Sequence, residues 1–199
     1  MNSLKCKPFG IIICLMLSLS ACKKEDKSVD GNVYLNKDLK DHMNFKLGSY
    51  WLMKDSLTGG IDSFVVTFNG TTYHKTNLDD KGIEYIYMVI RVFNASEFLA
   101  EWDIQLIQNV DSEHGILFNY FDFKYGAYSE YNIALWKEIE ELPLFVSNGN
   151  AYKNVRVASV YPRQLIFNKE YGLIKLRVDA DEYQTKFHTW DLIYAHVIR

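Results

Sequence analysis

From Gly48 onward the chain reads as short runs rich in β-branched and aromatic residues, punctuated by glycine, asparagine, aspartate and serine. Tyr85 to Phe93 shows the pattern best: Ile86, Met88, Ile90 and Val92 fall on one face, with Tyr85, Tyr87, Val89, Arg91 and Phe93 on the other. A period of two with apolar residues on both sides predicts a strand buried on one face and half-buried on the other.

Turn chemistry sets the neighbours. Tyr50 to Lys54 and Ile61 to Phe68 flank Asp55-Ser56-Leu57-Thr58-Gly59-Gly60, a hairpin connection whose glycines permit the positive φ of a tight turn. Asn69-Gly70 is expected to repeat that signal. Further strands are predicted at Glu101–Gln108, Ile116–Phe123, Tyr152–Val160, Gln164–Phe167, Leu173–Val178 and, bent or broken, Tyr183–Ile198. One helix is expected over Glu130–Leu142, where Tyr131, Leu135, Ile139 and Leu142 recur at helical spacing before Pro143 ends the pattern. The fold class is therefore mainly β, an antiparallel meander with one helix. A long twisted sheet avoids open edges by curling, so a barrel or half-barrel is expected, with a two-sheet β-sandwich as the alternative.

The N-terminus carries a different message. Lys5 and Lys7 precede an apolar run from Phe9 to Leu19, and Leu19-Ser20-Ala21-Cys22 is followed at once by Lys23-Lys24-Glu25-Asp26-Lys27. A basic stretch, a short apolar core and small residues before a cleavage point form a secretory signal, too short to span a bilayer. Leu19-Ser20-Ala21-Cys22 resembles the bacterial lipobox. That resemblance implies cleavage after residue 21 and acylation of Cys22 with diacylglyceryl, and commonly also an N-linked palmitate-like chain. Two or three chains make a stable anchor where one does not. Lys24-Glu25-Asp26 is similar to the export signal that sends lipoproteins of Bacteroidetes-type bacteria to the outer face of the outer membrane. The same charges serve equally well as a solvated tether, which leaves a periplasm-facing location open. The expected organisation is a signal peptide over 1–21, an acylated Cys22 with a polar tether over 22–44, and one β-rich domain over 45–199.

Without residues 1–21 the chain keeps 20 basic against 25 acidic residues. A mildly acidic chain argues against nucleic acid as a partner, since phosphate recognition needs clustered Lys and Arg. The three cysteines are Cys6, Cys14 and Cys22, so no thiol is left for a disulfide, a zinc site or a nucleophile in the domain. Stability must come from the core, and 14 Tyr, 12 Phe and 4 Trp suggest what fills it.

Gly48-Ser49-Tyr50-Trp51 with Asp55-Ser56, the Asn154-Val155 segment, Tyr171-Gly172-Leu173-Ile174-Lys175 and Trp190-Asp191-Leu192 resemble small outer-membrane and surface lipoproteins of the Bacteroidetes group. The resemblance covers roughly Phe45 to Arg199 and implies no mechanism. In these motifs Gly172 reads as a turn or bulge before a strand, and Trp51 and Trp190 as core plugs. Asp55-Ser56-Leu57 is similar to the O-glycosylation motif of the same bacteria, which would place a glycan on Ser56.

Candidate chemistry is sparse. His42, His74, His114, His188 and His196 form no close-spaced ligand pair, and in a straight strand His188 and His196 lie about 26 Å apart. Asp179-Ala180-Asp181-Glu182 lacks the glycine and distal glutamate of a calcium loop and reads as a charged hairpin tip. Glu138, Glu140 and Glu141 read as the wet face of the expected helix. Nucleophile elbows, phosphate loops and zinc-protease motifs are absent. The expectation is no cofactor, no metal, no catalytic residue, and a non-enzymatic binding module of the cell envelope for a small apolar molecule, glycan or peptide. The alternatives are a structural or interaction subunit docking on an envelope protein partner, and a hydrolase with a dispersed site.

Overall fold

The computed structural model describes residues 32–75, 82–94, 97–108, 113–122, 127–128, 132–160, 163–178 and 188–199. Cys22, the signal segment, the tether up to residue 31 and Asp179-Ala180-Asp181-Glu182 lie outside the described residues.

Two meanders share one sheet. The first comprises β1 (Tyr50–Asp55), β2 (Ile61–Lys75), β3 (Gly82–Asn94), β4 (Glu97–Gln108), β5 (His114–Asp122), β6 (Ala127–Tyr128) and β7 (Asn132–Leu135). The second comprises β8 (Glu140–Ser147), β9 (Asn150–Val160), β10 (Arg163–Asn168), β11 (Gly172–Val178) and β12 (His188–His196). The order is β6-β5-β4-β3-β2-β1-β12-β11-β10-β9-β8, with β7 also on β5, and every pairing between named strands is antiparallel. β1 and β12 join the halves in the middle. Register slips at Leu52/Met53, Val66/Phe68, Val92/Phe93 and Ile166/Phe167 bend the strands and add twist, and the sheet curls into a half-barrel.

The expected alternation of β3 holds. Ile86, Met88, Ile90 and Val92 are buried, while Tyr85, Tyr87 and Phe93 on the other face are half-buried and Arg91 is exposed. All four tryptophans lie inside, whereas Tyr152 alone among the described tyrosine side chains is buried. The space between Phe64, Ile90, Trp102, Ile104, Leu165, Leu173 and Leu176 is about 10 Å³, room for no more than one water molecule.

Among the described residues the one α-helix is not where helical spacing put it. It is α1 (Lys37–Met43), capped by the Asn36 carboxamide, which accepts from the N–H groups of Asp38 and Leu39. Leu39 and Met43 are fully buried with Leu35 and Phe45 on either side, so residues 32–44 pack with the folded unit instead of extending the tether. Residues 132–147 instead form β7, a single 3-10 turn (Trp136–Glu138) and β8. Of the expected stripe, Ile139 is buried and Leu135 and Leu142 are half-buried, while Glu130 and Tyr131 lie outside the described residues; Trp136 turns inward at the bend, and Pro143 is accommodated in the last strand of the sheet. Glu138, Glu140 and Glu141 are exposed as expected, but on a turn and a strand. This segment starts on β5 at one end of the sheet and finishes on β9 near the other.

Asn69-Gly70 also departs from expectation. Both stay within β2, opposite Met88 and Tyr87, because the Asn69 carboxamide donates to Asn44 Oδ1 and to the Phe45 carbonyl and is thus drawn into the sheet. The Asp55 turn forms as expected: the Asp55 carboxylate accepts from the Leu57 N–H and the Thr58 hydroxyl, and Gly59 has φ of 70°.

Gly172 opens β11 with φ of 69°, and a Cβ there would sit 2.9 Å from Trp51 Cζ2 and 3.0 Å from Phe45 Cε1. The Trp51 indole N–H donates to the Tyr171 carbonyl at 2.7 Å, which fixes the ring against the glycine. Gly172→Ala should destabilise the domain by about 2–4 kcal/mol in a denaturant titration, combining a left-handed alanine with a clash against two aromatic rings. Gly149→Ala, where φ is 78° but nothing lies within 4 Å, should cost only about 1 kcal/mol.

Candidate functional site

A kink in the second meander, with its strands in unbroken register, lies over a concavity. β8 and β9 turn through Asn148-Gly149, with φ of 49° and 78°, the signature of a two-residue type I′ hairpin. Leu142↔Val155 and Leu144↔Lys153 flank a position where Asn154 faces Pro143, which has no N–H to give. Asn154 takes φ of 50° there, a conformation asparagine tolerates better than most residues. The hairpin thus bends past the end of β10, and its tip reaches β12, where the Ser147 hydroxyl bonds to Asp191, which also accepts from Lys175 Nζ at 2.9 Å.

Beneath the bend lies a cleft of about 650 Å³ lined by His42 of α1, Glu141 to Pro143, Lys153 to Arg156, and Asn168 to Glu170. Its polar groups are organised. Arg156 Nη2 donates to Asp38 Oδ2 at 2.7 Å and pairs with Glu141 Oε1 at 2.6 Å, and its guanidinium lies 4.2 Å over the Trp136 ring. Lys169 Nζ lies 2.9 Å from Asp38 Oδ1 and 3.4 Å from Asp41 Oδ2. Burial works to raise the Asp38 carboxyl, yet the Lys169 hydrogen bond and the charges of His42, Arg156 and Lys169 outweigh it, so Asp38 sits below the ordinary carboxylate range. Asn168 is buried; its carboxamide donates to the Lys153 carbonyl and accepts from the Tyr171 N–H, tying β9 to the β10–β11 turn. Arg199 Nη1 donates to the His42 carbonyl at 3.0 Å, closing the C-terminal end of α1.

The His42 ring packs against Trp136 and Phe167, and its Nδ1 donates to the Asp38 carbonyl at 2.8 Å, which fixes the tautomer. Burial is the main cause that lowers its pKa. The cleft therefore offers rigid hydrogen-bonding groups of both charges beside an apolar strip of Leu142, Pro143 and Val155.

The remaining expected residues lie elsewhere. Ser56 is exposed in the β1–β2 turn, where its hydroxyl accepts from the Thr189 N–H at 3.0 Å. Next to it His188 pairs with the buried Asp55 and lies tilted against Trp190 with ring centres 3.7 Å apart. Trp190 donates in turn to Asp62 at 2.8 Å, so it fills the core as expected while satisfying a buried carboxylate. His196 lies tilted beside Tyr50, His74 meets Tyr85 edge-on, and His114 begins β5. Among the described residues no three His, Cys, Asp or Glu side chains converge to hold a metal ion. Asp38, Arg156 and Lys169 carry no sequence signal of a site, because they come from α1, β9 and a turn far apart in the chain. Asn154 was visible only as part of the resemblance. Comparison with protein-family models, with curated proteins and with solved structures returned no match.

A pH dependence follows from His42. Its folded pKa lies below the ordinary 6.5, so as pH falls past that value the unfolded chain takes up a proton that the folded chain does not. The contribution of His42 is fully present above the ordinary 6.5 and is lost as pH drops toward the folded pKa, with His114 adding in the same direction. Thermal melts between pH 7.5 and about 5 should show this fall. His42→Asn, which keeps a donor for the Asp38 carbonyl but does not titrate, should flatten the slope. An unchanged slope would remove His42 from the account.

Proposed function

We propose that this protein is a non-enzymatic binding module of the cell envelope, held on the outer membrane by acyl chains on Cys22, with the cleft beneath the bent hairpin as its binding site. One contrast carries the reading: the outer cleft has about 650 Å³ of space, whereas the gap among the aromatic and aliphatic side chains inside the sheet has about 10 Å³. Of the ligands a β half-barrel could hold, a small apolar molecule in the interior is the least supported. The cleft has charges of both signs, two carboxamides and a short apolar wall, and the Trp136 ring behind it is covered by Arg156. Sugar recognition favours an open aromatic face, so an extended peptide segment suits these groups better than a glycan. The alternative, a subunit docking on an outer-membrane or surface complex, draws support from the exposed Phe68, Ile193 and Tyr194 of β2 and β12.

Titration of the full chain in detergent with an array of short mixed-charge peptides, followed through Trp136 fluorescence, should give saturable binding by a subset. Lys153→Glu on the exposed wall and Arg156→Ala on the floor should each weaken it roughly tenfold, a loss of about 1.4 kcal/mol. Saturation by oligosaccharides alone would replace the ligand class, and no saturation by either up to about 1 mM would overturn the module reading.

The anchor has its own test. Cys22→Ser should move the protein from the membrane to the soluble fraction of lysed cells. Retention of that variant in the membrane would sink the acyl anchor. Protease treatment of intact cells should degrade the wild-type domain if it faces outward and spare it if it faces the periplasm.

A further inference from the structure

β8 is the last strand on its side of the sheet and pairs with β9 alone among the described strands. In a two-residue hairpin the residues flanking the turn, here Ser147 and Asn150, exchange both backbone hydrogen bonds, and the pattern then alternates along the ladder. Residues 141, 143, 145 and 147 thus direct their backbone groups at β9. Glu140, Leu142, Leu144 and Val146 present theirs to the open side. Pro143, the residue that most often protects a sheet edge, falls on the wrong side of the strand to do so. The edge is apolar as well as open: Leu144 is 54% and Val146 62% exposed, with Leu142 and Phe145 half-buried.

We propose that this edge pairs with β8 of a second copy of the chain, antiparallel, across a twofold axis through Leu144. The sequence of the strand is self-complementary about that point. Leu144 meets Leu144, Leu142 meets Val146, and Pro143 meets Phe145, while Glu140 and Glu141 fall opposite Asn148 and Ser147, so no like charges oppose each other. Sliding the register by two residues in one direction sets Glu140 and Glu141 against Val146 and Phe145, burying carboxylates on apolar groups. Sliding it the other way sets Leu142 against Asn148 and loses an apolar pair. The pairing does not depend on what the cleft binds, although it sets Phe145 of one copy beside Pro143 on the cleft wall of the other.

An edge contact of this length is small for a stable dimer, so association is expected only at about 10–100 µM in solution. Sedimentation equilibrium of the full chain in detergent micelles should show a reversible monomer–dimer equilibrium in that range. Because Leu144 faces its own copy, Leu144→Lys and Leu144→Glu should each weaken dimerisation at least roughly tenfold by opposing like charges. A one-to-one mixture of the two variants should dimerise again, the introduced ammonium facing the introduced carboxylate. Residue 144 is exposed, and matching circular dichroism and melting curves would show both variants folded. A wild-type chain that stays monomeric to about 100 µM would overturn the proposal. So would variants that dimerise as tightly as wild type, or a mixture that remains monomeric.

Discussion

The pairing of β1 with β12 makes one sheet out of two meanders. Tyr50 lies opposite His196 and Asp55 opposite Trp190, strands well over a hundred residues apart in sequence. Every other pairing between the named strands joins strands that are consecutive or next but one in the chain. Formation of this ladder must await both halves, and its loop-closure entropy is large, which predicts slow folding relative to chain length. Both polar clusters at the ends of β1 depend on it. At one end Trp51 packs on Phe45 and bonds to Tyr171; at the other, Asp55 holds His188. A sheet without the β1–β12 seam would expose two new edges and lose the frame that brings the β10–β11 turn near α1.

What the residues disclosed in advance was local. The alternation of β3, the Asp55 turn, the glycine before β11 and the inward tryptophans all follow from neighbours in sequence, and all are present. Errors arose where a tertiary partner overrode a local pattern. Leu135, Ile139 and Leu142 have helical spacing, but a strand, a 3-10 turn and a strand also bring them wholly or partly under cover, and β-branched Ile133 gives no strong helical preference to resist it. Asn69-Gly70 has the chemistry of a turn, but its carboxamide finds Asn44 and Phe45. The seven residues of α1 are too few to show a period. The cleft was not legible at all: its ion pairs join residues 38, 141, 156 and 169, and no spacing rule links them.

The position of the cleft also qualifies what a curled sheet implies. Half-barrels invite the assumption that ligands sit inside, yet here aromatic and branched side chains occupy the described interior and the concavity lies outside, under a hairpin bent by a proline facing an asparagine. Its central charges are paired within the chain: Arg156 and Lys169 share Asp38, whose depressed pKa keeps the carboxylate ionised. In the proposed binding role, an incoming group would have to compete with these partners, which would favour discrimination by geometry over raw electrostatic attraction.

The segment from β7 to β8 has a consequence for how such a fold can vary. Because it lies on β5 first and on β9 afterwards, the turn at Trp136–Glu138 sets how far the two ends of the sheet stand apart. It works as an expansion joint. Adding a residue or two there would spread β5 from β9 and enlarge the interior without a new strand or a new register. A sequence that made such an insertion and replaced Trp136 with a smaller side chain would acquire an internal cavity, keeping the same meander and changing only its girth.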